Sequence, residues 1–153
     1  MTFDIELNRL TIARGDIEQA LRFLKKAGGI DPTSDEYEAL VMTAITLYAR
    51  PFSKNEVDPQ AKANKCVSSE VLDEYTKEER VLHDRLLEVR NKAIAHAEWN
   101  NYPTSVSWDT RVIKSRRYSI YPEFITVESF AALAMKLERR LQNMRVDRVL
   151  QER

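Results

Sequence analysis

Apolar residues in the first half of the chain recur at intervals of three or four, which is the spacing along one face of an α-helix. This pattern predicts a first helix from about Asp4 to Ala27, ended by Gly28 and Gly29. A second helix is predicted to follow the turn at residues 31–34 and to end before Pro51. Its predicted buried stripe consists of Tyr37, Leu40, Val41, Ala44, Ile45 and Tyr48.

A loop separates the second helix from the third. Residues 51–70 lack a hydrophobic period and predict a long surface loop, with a helical turn at about Ser69–Tyr75. Thr76 and Glu79 have the spacing of a capping box. The third helix is therefore predicted to begin there and to run to about Trp99. Its predicted core face consists of Leu82, Leu86, Val89, Ala93 and Ala97, widened by Leu87 and Ile94.

The pattern changes between Pro103 and Pro122, where alternating apolar residues predict short strands and a hairpin turning near Asp109 and Thr110. Thr126 then caps a final helix. The predicted buried stripe of that helix consists of Phe130, Leu133, Ala134, Leu137, Leu141, Met144 and Arg148. Residues 1–153 are thus predicted to form one all-α domain, a four-long-helix antiparallel bundle with a short β-like insertion before the last helix.

Composition narrows the class of protein. The 153 residues are 43% hydrophobic and 31% charged with a formal net charge of zero, which favours one soluble domain whose basic surface, if present, is local. Cys66 is the single cysteine, so an internal disulfide is excluded. The first residues show no signal-peptide pattern, and no apolar run reaches the length of a membrane span. We expect a cytoplasmic protein that does not enter a membrane.

Candidate chemistry is concentrated late in the third helix, in the run Arg-Asn-Lys-Ala-Ile-Ala-His at residues 90–96. Cleaving RNA without a metal ion requires groups that transfer protons and a positively charged group that contacts the phosphate. His96 titrates near neutral pH and could act as base or acid. Arg90 could hold phosphate oxygens in a bidentate contact, and Asn91 could orient the imidazole. These three residues are the candidate catalytic set, with no cofactor and no metal ion.

The stretch from Leu82 to His96 resembles the HEPN superfamily of small helical bundles. The match is Arg90, the polar Asn91, four further residues and then His96, on the third of four long helices. The resemblance implies an HEPN-like fold and a homodimer that cleaves RNA without metal at its interface. It also implies toxin–antitoxin or defence biology, with an antitoxin protein as a further partner.

A different interpretation of the same residues remains open. Arg90 could pair with Glu88 or Asp84 on the solvent side, and His96 could be an ordinary helix cap. Several HEPN toxins have a tyrosine two positions after the histidine, where this chain has Glu98. In this interpretation the protein is a noncatalytic helical dimerisation or protein-interaction module.

Basic and aromatic residues alternate in one further segment. Its candidate RNA-binding residues are Arg111, Lys114, Arg116, Arg117 and Tyr118. Basic side chains that contact phosphates, together with aromatic rings that stack on bases, would suit the binding of single-stranded RNA. In the alternative interpretation, the segment is a hairpin face exposed to solvent and has no ligand.

The remaining histidine, His83, could line the same groove as Arg90, or could be a packed helix residue. It is too far from His96 along the chain for a paired-ligand motif, and no cysteine cluster exists, so no metal site is predicted.

Overall fold

A computed structural model of the protein describes residues 4–53, 66–95, 104–115 and 125–151, without the side chains of residues 93–95 and 115. Four long α-helices form the described part of the fold: α1 Ile5–Ala27, α2 Asp35–Ala49, α3 Lys77–Val89 and α4 Val127–Gln151. Two short strands, β1 Thr104–Ser107 and β2 Val112–Ser115, pair before α4. The prediction of an all-α fold with a small β insertion is confirmed at this level.

The helices begin at the residues that the sequence indicates. The Asp4 carboxylate accepts hydrogen bonds from the first-turn amides of α1, and the Ser34 hydroxyl accepts one in α2. At α3 both halves of the capping box are present: the amide of Thr76 donates to Glu79 over 2.7 Å, and the amide of Glu79 donates to the Thr76 hydroxyl over 3.2 Å. These bonds satisfy amides that would otherwise lack a partner at a helix start.

α1 and α2 also end where the sequence indicates. Gly28 follows α1 as predicted, in the right-handed region with φ −61, and neither Gly28 nor Gly29 has a positive φ. Backbone bonds such as the one that the Gly29 amide donates to the Lys26 carbonyl close the last turn. α2 ends before Pro51 as predicted, passing into a 3-10 turn at Arg50–Phe52. A second 3-10 turn at Ser69–Leu72 matches the predicted helical turn.

The four helices share one core. α1 packs against α2 and α4, while α3 packs against α2 and α4 from the other side. The salt bridges Asp4–Arg148 (2.7 Å) and Arg14–Glu138 (2.6 Å) show that α1 and α4 run antiparallel. The largest fully buried side chains include Tyr48, Phe130, Leu10, Ile17, Leu24, Ile45, Leu86, Leu133, Leu137 and Leu141.

The predicted stripe of α4 is buried from Phe130 to Leu141, whereas Arg148 instead forms the salt bridge to α1. On α3 the buried side chains are His83, Leu86 and Val89, whereas Leu82 of the predicted core face is only partly buried. No helix within the described ranges is both long enough and apolar enough to cross a lipid bilayer.

Candidate nucleic-acid interface

The helix that carries the Arg-Asn motif changes type at that motif. Regular α-helical bonding ends at Val89, and residues Arg90–Ala95 form a π-helix. The backbone amide of Arg90 donates to the carbonyls of both Leu86 and Leu87 at this junction. The sequence predicted an uninterrupted α-helix to about Trp99. The chain is helical to Ala95, but the prediction of regular α-helical geometry is wrong for Arg90–Ala95. π-Helical turns are rare and occur frequently at functional sites.

Arg90 and Asn91 lie together at the start of the π-helix. The Nη1 atom of Arg90 donates a hydrogen bond to Oδ1 of Asn91 over 2.8 Å. Asn91 is exposed and Arg90 is partly exposed, so both polar heads can be reached from solvent. A planar guanidinium has several N–H donors, and the bond to Asn91 uses only some of them. The pair therefore presents a fixed cation and an amide on the surface.

Among the described residues, the carboxylate closest to Arg90 in the sequence pairs with other cations. The Glu88 carboxylate, two residues before Arg90, accepts hydrogen bonds from Arg85 (2.7 Å) and Lys92 (3.1 Å). The bond from Arg85, followed by that from Lys92, lowers the pKa of Glu88. Glu88 and Lys92 have the four-residue spacing that allows an ion pair on one face of a helix. Arg90 bonds to Asn91, and within the described ranges it forms no salt bridge with Glu88 or Asp84, the pairing that the alternative interpretation offered.

Other predicted site residues fall beyond the described ranges. His96 is outside them, as are Arg116, Arg117 and Tyr118. The structure thus brings Arg90 and Asn91 together and does not place the histidine relative to them. Among the described residues, no three histidine, cysteine, aspartate or glutamate side chains form a group that could hold a metal ion.

The second predicted site lies on the hairpin. β1 and β2 are antiparallel, with Val106 opposite Ile113 and Ser107 opposite Val112. Residues 108–111 form the connecting loop, which confirms the predicted turn near Asp109 and Thr110. Arg111 has φ 55, in the left-handed region that non-glycine residues rarely adopt. Both Arg111 and Lys114 are exposed, so both predicted contacts are accessible.

Sequence reasoning missed the most exposed large residue of this hairpin. Trp108 is one of the apolar residues from which short strands are predicted between Pro103 and Pro122, but it opens the loop and is 84% exposed. The available signal was its position directly before the predicted turn at Asp109, because a loop residue has no facing strand to pack against.

His83 lies in the core and not at the surface groove. It is 3% exposed, and its Nδ1 is 3.0 Å from the Tyr48 hydroxyl, which is in turn 3.1 Å from the Tyr75 hydroxyl. Burial lowers the pKa of His83 and raises the pKa of Tyr75 to about 12. The packed-histidine alternative is therefore correct. Tyr48 was already predicted on a buried stripe, and a buried hydroxyl requires a partner.

An open apolar groove of about 290 Å³ lies between the N-terminal part of α1 and the C-terminal part of α4. Its lining residues are Leu7, Thr11, Gln142, Arg145, Val146, Val149 and Leu150. The sequence signal for this groove is a set of three apolar residues of α4 that do not belong to its predicted buried stripe: Val146, Val149 and Leu150.

No model of a protein family matches the chain, and neither the curated proteins nor the solved structures compared with it include a similar protein. The functional argument therefore depends on the geometry and chemistry of these residues.

Proposed function

We propose that the protein is a cytoplasmic, HEPN-like homodimer that binds RNA and cleaves it as a metal-independent endoribonuclease of toxin–antitoxin or defence type. The observation that carries this proposal is the solvent-accessible Arg90–Asn91 pair on a π-helix. The Arg-polar-x4-His spacing completed by His96 supports it.

Each residue has a distinct role in the proposed reaction. Arg90 holds the scissile phosphate and stabilises the charge that develops on its oxygens. His96 removes the proton of the 2′-hydroxyl or protonates the leaving oxygen. Asn91 orients Arg90 through the bond that it accepts from the guanidinium. A reaction of this kind needs no metal ion and no cofactor.

The proposal includes a homodimer because one imidazole cannot easily serve as both acid and base in the same step. A two-fold axis between two π-helices would bring two copies of His96 to one cleft. An antitoxin protein in this scheme would act by covering that cleft.

Single substitutions in the motif test the proposed chemistry. We expect His96→Ala and Arg90→Ala each to lower the rate of RNA cleavage at least about 100-fold, the usual scale of one proton-transfer or charge-stabilising group. Cleavage of a labelled single-stranded RNA is measured with excess chelator, and circular dichroism checks that helicity is unchanged.

Lys92→Ala is the matched control, since Lys92 lies on the same π-helix, is exposed and bonds to Glu88. It should cleave at the wild-type rate. Cleavage that survives both His96→Ala and Arg90→Ala would exclude this mechanism.

The second candidate function is a noncatalytic helical interaction module. The open apolar groove between α1 and α4 favours it, because exposed apolar surface beside a groove is typical of protein interaction sites. Absence of RNA cleavage by the wild-type chain at high concentration would select this function.

A further inference from the structure

The β1–β2 hairpin exposes apolar side chains without covering them by another described element. Val106 and Ile113 face each other across the strands and are 41% and 70% exposed, and Trp108 is 84% exposed. Every residue described from Thr104 to Lys114 is exposed. A tryptophan held in this way provides a large flat surface, which a ligand with its own flat surface can cover.

Charge on the hairpin favours an anionic ligand. The segment 104–117, which extends two residues beyond the described hairpin, contains four cationic residues and one acidic residue, although the whole chain is neutral. Two of these cations, Arg111 and Lys114, are described and exposed, and Arg111 follows Trp108 within the same four-residue loop. Cations beside an exposed ring match the alternating phosphates and bases of a single strand.

The loop sequence disfavours a lipid surface as the partner. Next to Trp108 stand Asp109 and Thr110, and insertion of the loop into hydrocarbon would remove the Asp109 carboxylate from water at a high cost. The neighbouring serines, Ser105 and Ser107, are exposed hydroxyls that can hydrogen-bond to sugars and bases.

We propose that the hairpin binds unpaired nucleotides of RNA, with Trp108 stacked on a base and with Arg111 and Lys114 on the flanking phosphates. This inference rests on the proposed RNA-binding function and specifies its substrate class as single-stranded RNA. It assigns recognition to the hairpin, separately from the cleavage chemistry proposed for Arg90 and His96.

The test measures fluorescence anisotropy of a labelled 2′-O-methyl oligouridine of roughly twelve nucleotides, which spans a typical single-strand site. This probe lacks the 2′-hydroxyl nucleophile, so cleavage cannot interfere with binding. We expect Trp108→Ala to weaken binding about 5- to 150-fold, the range for loss of one stacked base, and Trp108→Phe to weaken it less. A duplex of the same length should bind more weakly than the single strand.

Salt dependence separates stacking from charge. Each phosphate contact adds roughly 0.7 to the slope of log Kd against log salt for single strands. Arg111→Gln and Lys114→Gln should each reduce that slope by about this amount, whereas Trp108→Ala should leave it unchanged. Glutamine at position 111 has a Cβ, as arginine does, so Arg111→Gln adds no strain to the left-handed backbone there.

Met135→Ala is the matched control, because Met135 is a large exposed apolar residue on α4. It should bind the probe like the wild type. If Trp108→Ala also binds like the wild type, the hairpin inference is wrong while RNA binding stands. If the wild type binds no RNA at all, both the hairpin inference and the proposed function are wrong. The inference would be overturned in favour of a membrane contact by a different set of results. In that case the wild type binds vesicles with anionic headgroups, Trp108→Ala does not bind them, and Trp108→Ala keeps the RNA affinity of the wild type.

Discussion

His83 lies among aromatic side chains in the core, with its ring 4.6 Å from the Phe52 ring and hydrogen-bonded to Tyr48. Burial lowers the pKa of His83 below its ordinary value of 6.5, an effect opposed by nearby Asp84 and reinforced by Arg80. As the pH falls below 6.5, the unfolded chain therefore takes up a proton at this residue before the native state does. The free energy of unfolding then decreases until the lowered native pKa has been passed.

We expect His83→Gln to be less stable than the wild type at about pH 8, by roughly 1–3 kcal/mol for the disturbed buried hydrogen bond. Its stability should also depend less on pH as the pH falls below 6.5, because the titrating group is gone. Urea denaturation at several pH values measures both effects. His96→Gln removes the other histidine and should retain the His83 contribution. An unchanged pH slope in His83→Gln would contradict the effect of burial on this imidazole.

At the scale of the element, α3 combines a predictable start with an unpredictable end. Its capping box involves residues within one turn of each other, so the sequence indicates it directly. The π-helix at Arg90–Ala95 has no such local signature. Glu79 also bonds to Lys136 of α4 over 2.7 Å, which links the start of α3 to the bundle.

Thr76→Ala should lower the free energy of unfolding by about 0.5–2 kcal/mol, since the first-turn amide loses its acceptor. Thr76→Ser keeps the hydroxyl and should restore most of this stability. Chemical denaturation of the three chains measures the difference. Equal stability of Thr76→Ala and the wild type would mean that solvent caps α3 as well as Thr76 does.

At the scale of the whole molecule, a second copy of the chain could bind at either of two described surfaces. One is the surface of the π-helix Arg90–Ala95, and the other is the groove between α1 and α4. The proposed nuclease requires a dimer formed through the π-helix. We therefore expect the cleavage rate per chain to fall on dilution as the dimer dissociates. Val149→Glu, which places a charge at the groove, should keep the wild-type dependence on concentration.

Sedimentation equilibrium of the wild type and of Val149→Glu compares their dimerisation without a substrate. A wild-type dimer that becomes monomeric in Val149→Glu would assign the interface to the groove. That result would support the interaction module over the nuclease.

The sequence alone determined where the helices begin, which faces of α2 and α4 are buried, and where the hairpin turns. Caps such as Thr76 and turns such as the one at Asp109 depend on atoms a few residues apart, and helix phase follows from the spacing of apolar residues. The proximity of Arg90 and Asn91 follows from their adjacency in the chain.

Only the tertiary structure decided what these residues contact. His83 is buried because Tyr48 and Tyr75, distant in sequence, meet it in the core, and Trp108 is exposed because no described element covers the hairpin. Arg148 bonds to Asp4 because α1 and α4 run antiparallel. Burial and pairing depend on which elements become neighbours, and that depends on long-range packing, which local sequence patterns do not encode.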